Sequence, residues 1–414
     1  MRAIIALIND SPNTLMQLAR QLERLGTETA FAVSDMAAAW AAAGNRVFAF
    51  HLGDIKLPTP RPIVEAAARA MGGGYSGYCP GPGVPLLREQ LARVLGAERG
   101  MEYAAENISV QPGGKPVIGK FLASVMNPGD EVLYPVPGFP IYRSQIDYQG
   151  GVGVAYHYRP NSDGFALDLD ELRDAVTPKT RALIYNNHHN PTGASASDDE
   201  IAAVAAVAAK HDLWVLADEA YSNIRFDDSP LRSIAQLPGM RERTVILFTC
   251  SKQFAMTGWR LGAAVGDAKI IAAISKFNTN IESCTAHFLQ QAVGEVLREA
   301  GDDLPALIAP LVDALQERRD ALTDALNGID GVHVTAPPSA FYSYAGIDAI
   351  LRRKNLPDAD ALMRASLHET GLSFCTGAHF GEAPDTRHIR FAFSSVSVDD
   401  IRESMAGWKR WVEA

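Results

Sequence analysis

The sequence has few cysteines, no long apolar run and no signal-peptide pattern. Its 414 residues include only four cysteines, at positions 79, 250, 284 and 375, and no two of them have a paired spacing. Neither a disulfide framework nor a zinc site is therefore predicted, and we expect a reducing, cytoplasmic location. The longest uninterrupted apolar stretch, IAAVAAVAA from Ile201, is far too short to cross a bilayer. These absences argue against a membrane protein and against a disulfide-stabilised secreted domain.

An excess of positive charge is also missing. The chain has 38 lysines and arginines against 48 aspartates and glutamates, a formal net charge of -10. Its basic residues are scattered instead of gathered into one stripe, so nucleic acid is not an expected partner. With 47% apolar and 21% charged residues, the composition is that of an ordinary globular protein, and the length favours two domains over one.

Short β-rich runs alternate with helical stretches through the middle of the chain. Seven such runs are present, beginning at Ile108, Glu131, Gly151, Arg181, Leu213, Thr244 and Leu261. Between them lie helix candidates, of which the clearest is SDDEIAAVAAVAAKH, where Ser197 can cap the N-terminus. This alternation predicts an α/β domain with a mostly parallel, seven-stranded sheet covered by helices.

The pattern changes beyond about Glu299. A charged helical stretch over residues 304–326 leads into GVHVTAPPSAFYSYAGI and HIRFAFSS, which predict strands in a smaller α+β domain. RVFAFHLGD is a further strand candidate near the N-terminus, and we expect it to pack with that second domain. The predicted division is an N-terminal segment (1–60), a large domain (61–300) and a small domain (301–414).

Polar residues and glycines follow several of the predicted strands, at the sheet edge where α/β proteins bind ligands. Gly113 and Gly114 form a turn before a helix, where backbone N–H groups can bind an anion. Asn190 follows another strand, and Asp218 ends a strongly apolar one, where a carboxylate needs a cationic partner. Tyr221 lies three residues later. Each feature alone is also compatible with an ordinary turn or a buried polar contact, and no metal site is predicted.

The stretch TCSKQFAMTGWRLG places Lys252 and Arg260 after the next strand. Alone, each is more typical of a solvated surface charge. One cofactor, however, requires a lysine for a Schiff base, an aspartate for a pyridine nitrogen, and a phosphate site of glycine N–H groups, hydroxyls and an arginine. That cofactor is pyridoxal 5'-phosphate.

Several motifs together resemble the class I/II aminotransferases, the aspartate aminotransferase-like branch of fold type I pyridoxal phosphate enzymes. They are SKQFAMTGWRLG, HNPTGA, DEAY, NPGDEVLYPVPGFPIY and YCPGPGVPLLREQL, and the resemblance extends from about Val47 to the C-terminus. It implies the fold type I architecture of a large cofactor-binding domain and a smaller α+β domain.

The resemblance also implies roles for individual residues. Those matched to the phosphate are Gly113, Gly114, Lys115, Thr249, Ser251 and Arg260. Those matched to the rest of the cofactor are Lys252 for the Schiff base, Phe139 stacking on the ring, Asp218 at the ring nitrogen, and Tyr221 and Asn190 at the phenolic oxygen.

Three further positions concern the substrate and the partner subunit. Arg390 matches the arginine that binds the substrate α-carboxylate, and Gly53 lies in the N-terminal substrate loop. Asn190, already matched to the cofactor, is expected to contact the substrate as well. Tyr78 resembles the tyrosine that reaches the neighbouring subunit's phosphate, which implies a homodimer with shared active sites. Pro116 after Lys115, and Lys56 in the substrate loop, depart from the common pattern.

The resulting hypothesis is an aminotransferase that moves an amino group from an L-amino acid to a 2-oxo acid by a ping-pong mechanism. Lys252 would carry the substrate's α-proton to the cofactor and back. The alternative is a β-lyase, or another α,β-elimination or cyclisation enzyme, on the same fold. A transcription regulator with a sensor domain of this kind would need a DNA-binding domain, for which residues 1–50 are too few.

The sequence patterns are compatible with more than one kind of substrate side chain. A dicarboxylate would require a second cation in the pocket, and four candidates are present: Lys56, Lys120, Arg143 and Arg225.

Overall fold

The fold is described from a computed structural model that covers residues 17–26, 30–227, 230–383 and 386–414. The strands of this part of the chain, numbered β1 to β13, are Phe48–Ala49, Ile108–Gln111, Glu131–Val136, Val152–Asn161, Gly164–Leu167, Thr180–Tyr185, Trp214–Asp218, Thr244–Thr249, Gly262–Val265, Tyr342–Gly346, Leu372–Ser373, Cys375–Thr376 and His388–Ala392. The α-helices are Ala30–Ala42, Arg61–Gly72, Pro85–Arg99, Lys115–Val125, Ile141–Tyr148, Leu169–Asp174, Asp198–Lys210, Cys250–Gln253, Ala268–Ile281, His287–Ala300, Leu304–Asn327, Asp348–Lys354, Ala359–Thr370 and Val398–Glu413. Short 3-10 helices are Arg20–Arg24, Ala105–Asn107, Ile234–Gln236, Gly301–Asp303, Gly377–Phe380 and Phe393–Ser395.

A large mixed sheet has the strand order β2-β9-β8-β7-β6-β3-β4-β5. The neighbours β4, β3, β6, β7 and β8 are parallel, whereas β9 runs antiparallel to both β8 and β2. Each of the seven predicted runs overlaps one of these strands, so the mostly parallel α/β sheet is confirmed. The sheet has eight strands instead of the predicted seven, because β5 folds back as a hairpin on the end of β4, pairing Gly164 with Asn161.

Helices cover the sheet, and local sequence signals set where they begin. The predicted helix at SDDEIAAVAAVAAKH spans Asp198–Lys210, and the Ser197 hydroxyl accepts a hydrogen bond from the Glu200 N–H at 3.1 Å. Acidic residues in its first turn complement the helix dipole. All residues of β2 and β8 are buried, as expected for strands covered on both faces. None of the helices in the described part of the chain is long and apolar enough to cross a membrane.

The C-terminal part builds a separate three-stranded antiparallel sheet in the order β10-β13-β12. It has its own hydrophobic cluster, in which Trp408 packs edge-on against the rings of Phe374 and Phe391. The N-terminal strand β1 is only two residues long, and it pairs in parallel with β11, Phe48 opposite Leu372. On this packing we propose the division into residues 1–60, 61–300 and 301–414.

The strands of the C-terminal part are shorter than the sequence indicates. In GVHVTAPPSAFYSYAGI only Tyr342–Gly346 is a strand, since the preceding stretch runs without ladder pairing. The helix predicted over residues 304–326 is present as Leu304–Asn327, with Pro310 inside it.

Candidate active site

A cavity of about 600 Å³ lies at the carboxyl ends of the large sheet, between that sheet and the C-terminal part. Twelve of the residues predicted for the site line it: Gly53, Gly114, Lys115, Phe139, Asn190, Asp218, Tyr221, Thr249, Ser251, Lys252, Arg260 and Arg390. Gly113 is not among the lining residues but touches one of them, as described below. Tyr78 does not line the cavity of its own chain, and its side chain is 87% exposed.

The turn after β2 has a left-handed backbone at Gly113, which favours glycine there. Gly113 has φ +98°, and a Cβ atom there would collide with the guanidinium of Arg260. A Cβ atom on Gly114 would lie 2.8 Å from Leu247 Cδ2. The helix Lys115–Val125 begins directly after this turn without a side-chain cap. Its first N–H groups are therefore suited to binding an anion.

Arg260 is held beside this helix start. Its Nη1 donates to the Thr257 carbonyl at 2.7 Å and approaches the Ser251 hydroxyl at 3.4 Å. Thr249 caps the short helix Cys250–Gln253, because its hydroxyl accepts from the Ser251 N–H at 3.1 Å. In the described part of the chain Arg260 has no carboxylate partner within ion-pair distance, so its charge can serve an anionic ligand.

Lys252 lies in the same short helix, immediately beyond β8. Its Nζ donates to the Gly53 carbonyl at 2.7 Å and lies 5.6 Å from the centre of the Phe341 ring. Gly53 itself has no room for a side chain, since a Cβ atom would meet the Tyr342 hydroxyl. The Gly53 carbonyl thus holds the lysine amine inside the cavity. When this hydrogen bond breaks, the lysine nitrogen can react with a ligand.

Asp218 ends the neighbouring strand β7 and is buried. Its Oδ2 accepts a hydrogen bond from the Tyr142 hydroxyl at 2.6 Å, and its Oδ1 accepts from the Ala220 N–H at 3.2 Å. Burial raises the pKa of the carboxyl from its ordinary 3.8 to about 6, although these two hydrogen bonds partly oppose the rise. At neutral pH the site therefore holds a buried negative charge, which a cationic group of a ligand would stabilise.

The Asp218→Asn substitution should make the cofactor-free protein more stable above pH 6. A pKa raised on folding means that the folded state loses stability as the pH rises from about 4 through about 6. Removing the charge should recover roughly 2–3 kcal/mol of unfolding free energy at pH 8 and nothing at pH 3.5. Urea unfolding at both values measures this, and an equal effect at the two would contradict it. Exposed Asp212→Asn is the matched control.

Tyr142 was not predicted from the sequence, although a signal was present. It lies three residues after Phe139, and its helix, Ile141–Tyr148, begins between them, so the two rings meet edge-on at 5.7 Å between centroids. Asn186 was also missed. Its Oδ1 accepts from the Asn190 N–H at 3.0 Å, while its Nδ2 donates to the Asp218 carbonyl at 2.9 Å. These residues connect the ends of adjacent strands and fix their geometry.

Tyr221 and Tyr342 both line the cavity and are in direct contact. Their hydroxyl oxygens are 2.7 Å apart, and burial holds the pKa of Tyr221 well above its ordinary range. Tyr342, which lies on β10, was likewise missed. With this raised pKa, the Tyr221 hydroxyl is neutral at physiological pH and can act as a hydrogen-bond donor to a ligand in the cavity.

Arg390 reaches the cavity from β13 of the C-terminal sheet. Its Nη1 donates to Asn190 Oδ1 at 3.0 Å and its Nη2 donates to the His51 carbonyl at 2.8 Å. The rings of Tyr342 and Phe380 lie on it, each with its centroid 4.5 Å from the guanidinium carbon. The side chain is buried, and among the described residues its Nε has no hydrogen-bond partner. A fixed, buried guanidinium with an unsatisfied donor is suited to binding a carboxylate.

None of the four cations proposed for a second substrate carboxylate lines the cavity. Lys120 is buried elsewhere, with its Nζ 2.7 Å from Glu282 Oε2. Arg143 pairs with Asp147 on its own helix, Lys56 is exposed, and Arg225 lies outside the lining. Those four candidates are therefore not cavity residues.

The charge of the cavity also affects its neighbours. His51 is buried, with its Nδ1 2.7 Å from the Ser373 hydroxyl. Burial, and next the charge of Arg390, lower the pKa of His51 to about 4. His51 is therefore neutral at physiological pH, and Arg390 keeps the positive charge at this end.

Comparisons with known proteins agree with this geometry. Residues 46–406 match the sequence profile of the family described as aminotransferase class I and II. The chain is 32% identical to the aspartate/prephenate aminotransferase of Cereibacter sphaeroides over 94% of this chain and 97% of that protein. The aspartate aminotransferase of Thermus thermophilus, solved with maleate, superposes with a TM-score of 0.88 at 28% identity, covering 96% of this chain and 100% of that one. The aromatic aminotransferase of Pyrococcus horikoshii superposes with a TM-score of 0.83 at 30% identity, covering 91% and 98%.

Proposed function

As the chain belongs to the class I and II aminotransferases, and therefore transfers amino groups, we propose that it does so with pyridoxal 5'-phosphate bound in this cavity. The substrates are an amino acid and a 2-oxo acid. One observation carries the proposal: four charged side chains from separate parts of the fold line the same cavity. Three come from strand ends of the large sheet and the fourth from the C-terminal sheet, and they are Lys252, Asp218, Arg260 and Arg390.

The residues present fit this cofactor. Because Gly113 has no side chain, the Arg260 guanidinium lies close to the backbone of the turn, which suits the close approach of a phosphate to the helix N-terminus. Asp218 is a buried carboxylate without a cationic side chain within ion-pair distance in the described part of the chain, and a protonated pyridine nitrogen would supply that cation. Phe139 lines the cavity between these two points and would stack on the ring.

When bound, pyridoxal 5'-phosphate supplies an electron sink that stabilises the negative charge left on the substrate's α-carbon. Asp218 would keep the ring nitrogen protonated, and Tyr142 fixes the direction of that carboxylate. Lys252 would bind the cofactor covalently between turnovers. As a free amine, its Nζ would hold and move the substrate's α-proton.

Three further groups, Arg390, Tyr221 and Asn190, would orient the reactants. Arg390 would hold the α-carboxylate through its unsatisfied edge, while Tyr342 and Phe380 prevent the guanidinium from turning. Tyr221 would donate its hydroxyl proton to the cofactor's phenolic oxygen together with the Asn190 amide. By holding the substrate's α-carboxylate, Arg390 would determine which bond to the α-carbon is perpendicular to the cofactor ring.

Product analysis distinguishes amino-group transfer from the elimination alternative, which the relatives do not favour. Incubated with one L-amino acid and no acceptor, the protein should release about one 2-oxo acid per site and then stop until an oxo acid is added. Sustained pyruvate and ammonia from cysteine without an acceptor would show a β-lyase instead.

We further propose a cytoplasmic homodimer with shared active sites. Tyr78 is 87% exposed, and the apolar residues Met71 and Ile281 are 60% and 65% exposed. A second copy of the chain would cover this apolar surface. In the dimer, Tyr78 would reach the partner's phosphate.

Mixed dimers test the shared site. Tyr78→Ala and Lys252→Ala homodimers should each have low activity. After the two proteins are unfolded and refolded together, about a quarter of wild-type activity should return, since half the dimers are hybrids with one intact site. Co-refolding of Lys252→Ala with itself is the control. If activity stays at the level of the separate variants although hybrids form, the sites are not shared.

A further inference from the structure

A buried lysine follows the proposed phosphate turn, Gly113–Gly114, and takes no part in the amino-transfer chemistry. It is Lys120, in the helix Lys115–Val125 that begins at this turn, and its side chain is 6% exposed. The other buried residues of the helix are all apolar. Burying an ammonium group costs free energy unless it is paired and hydrogen-bonded, whereas a methionine would pack there without that cost. Packing alone therefore does not account for the charge.

Three acceptors surround the Lys120 ammonium. Its Nζ donates to Gln111 Oε1 at 2.9 Å, to Asn278 Oδ1 at 2.7 Å and to Glu282 Oε2 at 2.7 Å. An ammonium group has three N–H donors, so all of them are used. Gln111 ends β2, whereas Asn278 lies in the helix Ala268–Ile281 and Glu282 directly follows that helix. The lysine thus connects its own helix with two other elements.

Through Gln111, the lysine reaches the phosphate turn. Gln111 is fully buried, and its carbonyl accepts a hydrogen bond from the Gly113 N–H at 2.7 Å. Its side-chain Nε2 donates to the Ser109 hydroxyl at 3.0 Å, while its Oε1 accepts from Lys120. Both ends of the side-chain amide are therefore held, and they fix the residue from which the turn starts.

Through Asn278, the same lysine reaches the loop that carries Tyr78. Asn278 is buried, and its Nδ2 donates to the Gly81 carbonyl at 3.0 Å and to the Val110 carbonyl at 2.9 Å. Gly81 lies three residues after Tyr78. Because Nδ2 is bound to these two carbonyls, the buried Asn278 Oδ1 requires a donor of its own, and Lys120 supplies it.

We propose that Lys120 is a positioning residue, which holds the Gly113–Gly114 turn and the Tyr78 loop in one fixed arrangement so that both can bind the cofactor's phosphate. The inference rests on the proposed function, in which the turn binds the phosphate of its own site and Tyr78 reaches that of the neighbouring site. Lys120 does not line the cavity, so it acts through Gln111 and Asn278. Its effect is therefore on the binding of the phosphate and not on the rest of the cofactor.

Equilibrium binding of two forms of the cofactor to the cofactor-free protein tests this role. Pyridoxal differs from pyridoxal 5'-phosphate only in lacking the phosphate. The wild type should bind the phosphorylated form at least about 100-fold more tightly than pyridoxal. Lys120→Met should weaken the binding of pyridoxal 5'-phosphate about tenfold and leave the affinity for pyridoxal within about twofold of the wild-type value. The control Lys276→Met, which removes an exposed lysine from the helix that contains Asn278, should change neither affinity.

Glu282→Gln is a milder second variant, and it decides the question if Lys120→Met does not fold. The Glu282 side chain is 25% exposed, and glutamine keeps an acceptor oxygen for the lysine. This variant should weaken the binding of pyridoxal 5'-phosphate about two- to fivefold and leave that of pyridoxal unchanged. A wild type that binds both forms equally would overturn the proposed function together with this inference. If the wild type prefers the phosphorylated form but the variants weaken both forms alike, or neither, the function stands and the positioning role is wrong.

A double variant tests whether the turn and the loop are linked through the lysine. If Lys120 positions the Tyr78 loop, Tyr78→Phe already removes part of the affinity that Lys120→Met would lose. The loss of affinity for pyridoxal 5'-phosphate in Tyr78→Phe/Lys120→Met should then be smaller than the product of the two single losses, by a factor of about three or more. Single losses that simply multiply would show that the lysine does not act through the loop, and the proposed link would be wrong.

Discussion

Replacement of Lys252 by alanine should lower turnover by about 10⁴-fold or more, since one side chain supplies both the covalent attachment and the proton transfer. The protein should still fold, because Lys252 is only half-buried, so its removal exposes little apolar surface and leaves no large cavity. The visible absorbance of the covalently bound cofactor should disappear as well. Rapid-mixing measurement of a single turnover, with absorbance recorded in parallel, gives both quantities.

The matched control is Lys269→Ala, which removes an exposed lysine near the start of the helix Ala268–Ile281. It should leave rate and absorbance unchanged. Retention of both in Lys252→Ala would show that the covalent role belongs to another residue, for which Lys115 is the other lysine lining the cavity in the described part of the chain.

Replacement of Arg390 by alanine should lower kcat/KM for every amino acid donor by about 10³-fold, equivalent to about 4 kcal/mol. The reason is that the substrate's α-carboxylate would then face the apolar rings of Tyr342 and Phe380 without a cation. Steady-state kinetics over the widest accessible substrate range should place most of the loss in KM, since the groups around Lys252 and Asp218 stay intact.

Arg390→Lys is the informative companion variant. Lysine keeps the charge but cannot form the forked pair, so an intermediate loss is expected. Amines without a carboxylate should be equally poor donors for the wild type and for Arg390→Ala. If Arg390→Ala weakens such amines as strongly as amino acids, the arginine supports the fold instead of binding the carboxylate.

The sequence indicates the large sheet and the residues at its edge because both depend on local patterns. Buried parallel strands are continuous apolar runs, and the residue after each run necessarily lies at the carboxyl edge, as for Asp218 and Lys252. The eighth strand, Gly164–Leu167, was missed because it follows β4 after a two-residue turn and pairs only with the end of β4.

Contacts between distant parts of the chain could not be predicted in this way. Tyr342 meets Tyr221 only because the C-terminal sheet packs over the cavity, and no spacing in the sequence encodes that distance. Phe31 likewise lines the cavity although it lies far from most of the other lining residues in the sequence. The role of Arg390 was implied by family resemblance, whereas its buried ring contacts and unsatisfied Nε required the structure.

The most direct test of the covalent role of Lys252 is chemical. The protein is loaded with pyridoxal 5'-phosphate, reduced with borohydride and digested, and the modified peptide is identified by mass spectrometry. We expect one modified lysine per chain, located at Lys252 in the peptide that contains SKQFAMTG, and no modified peptide from Lys252→Ala. Stoichiometric modification of a different lysine, or none at all in a protein that transfers amino groups, would contradict the assignment.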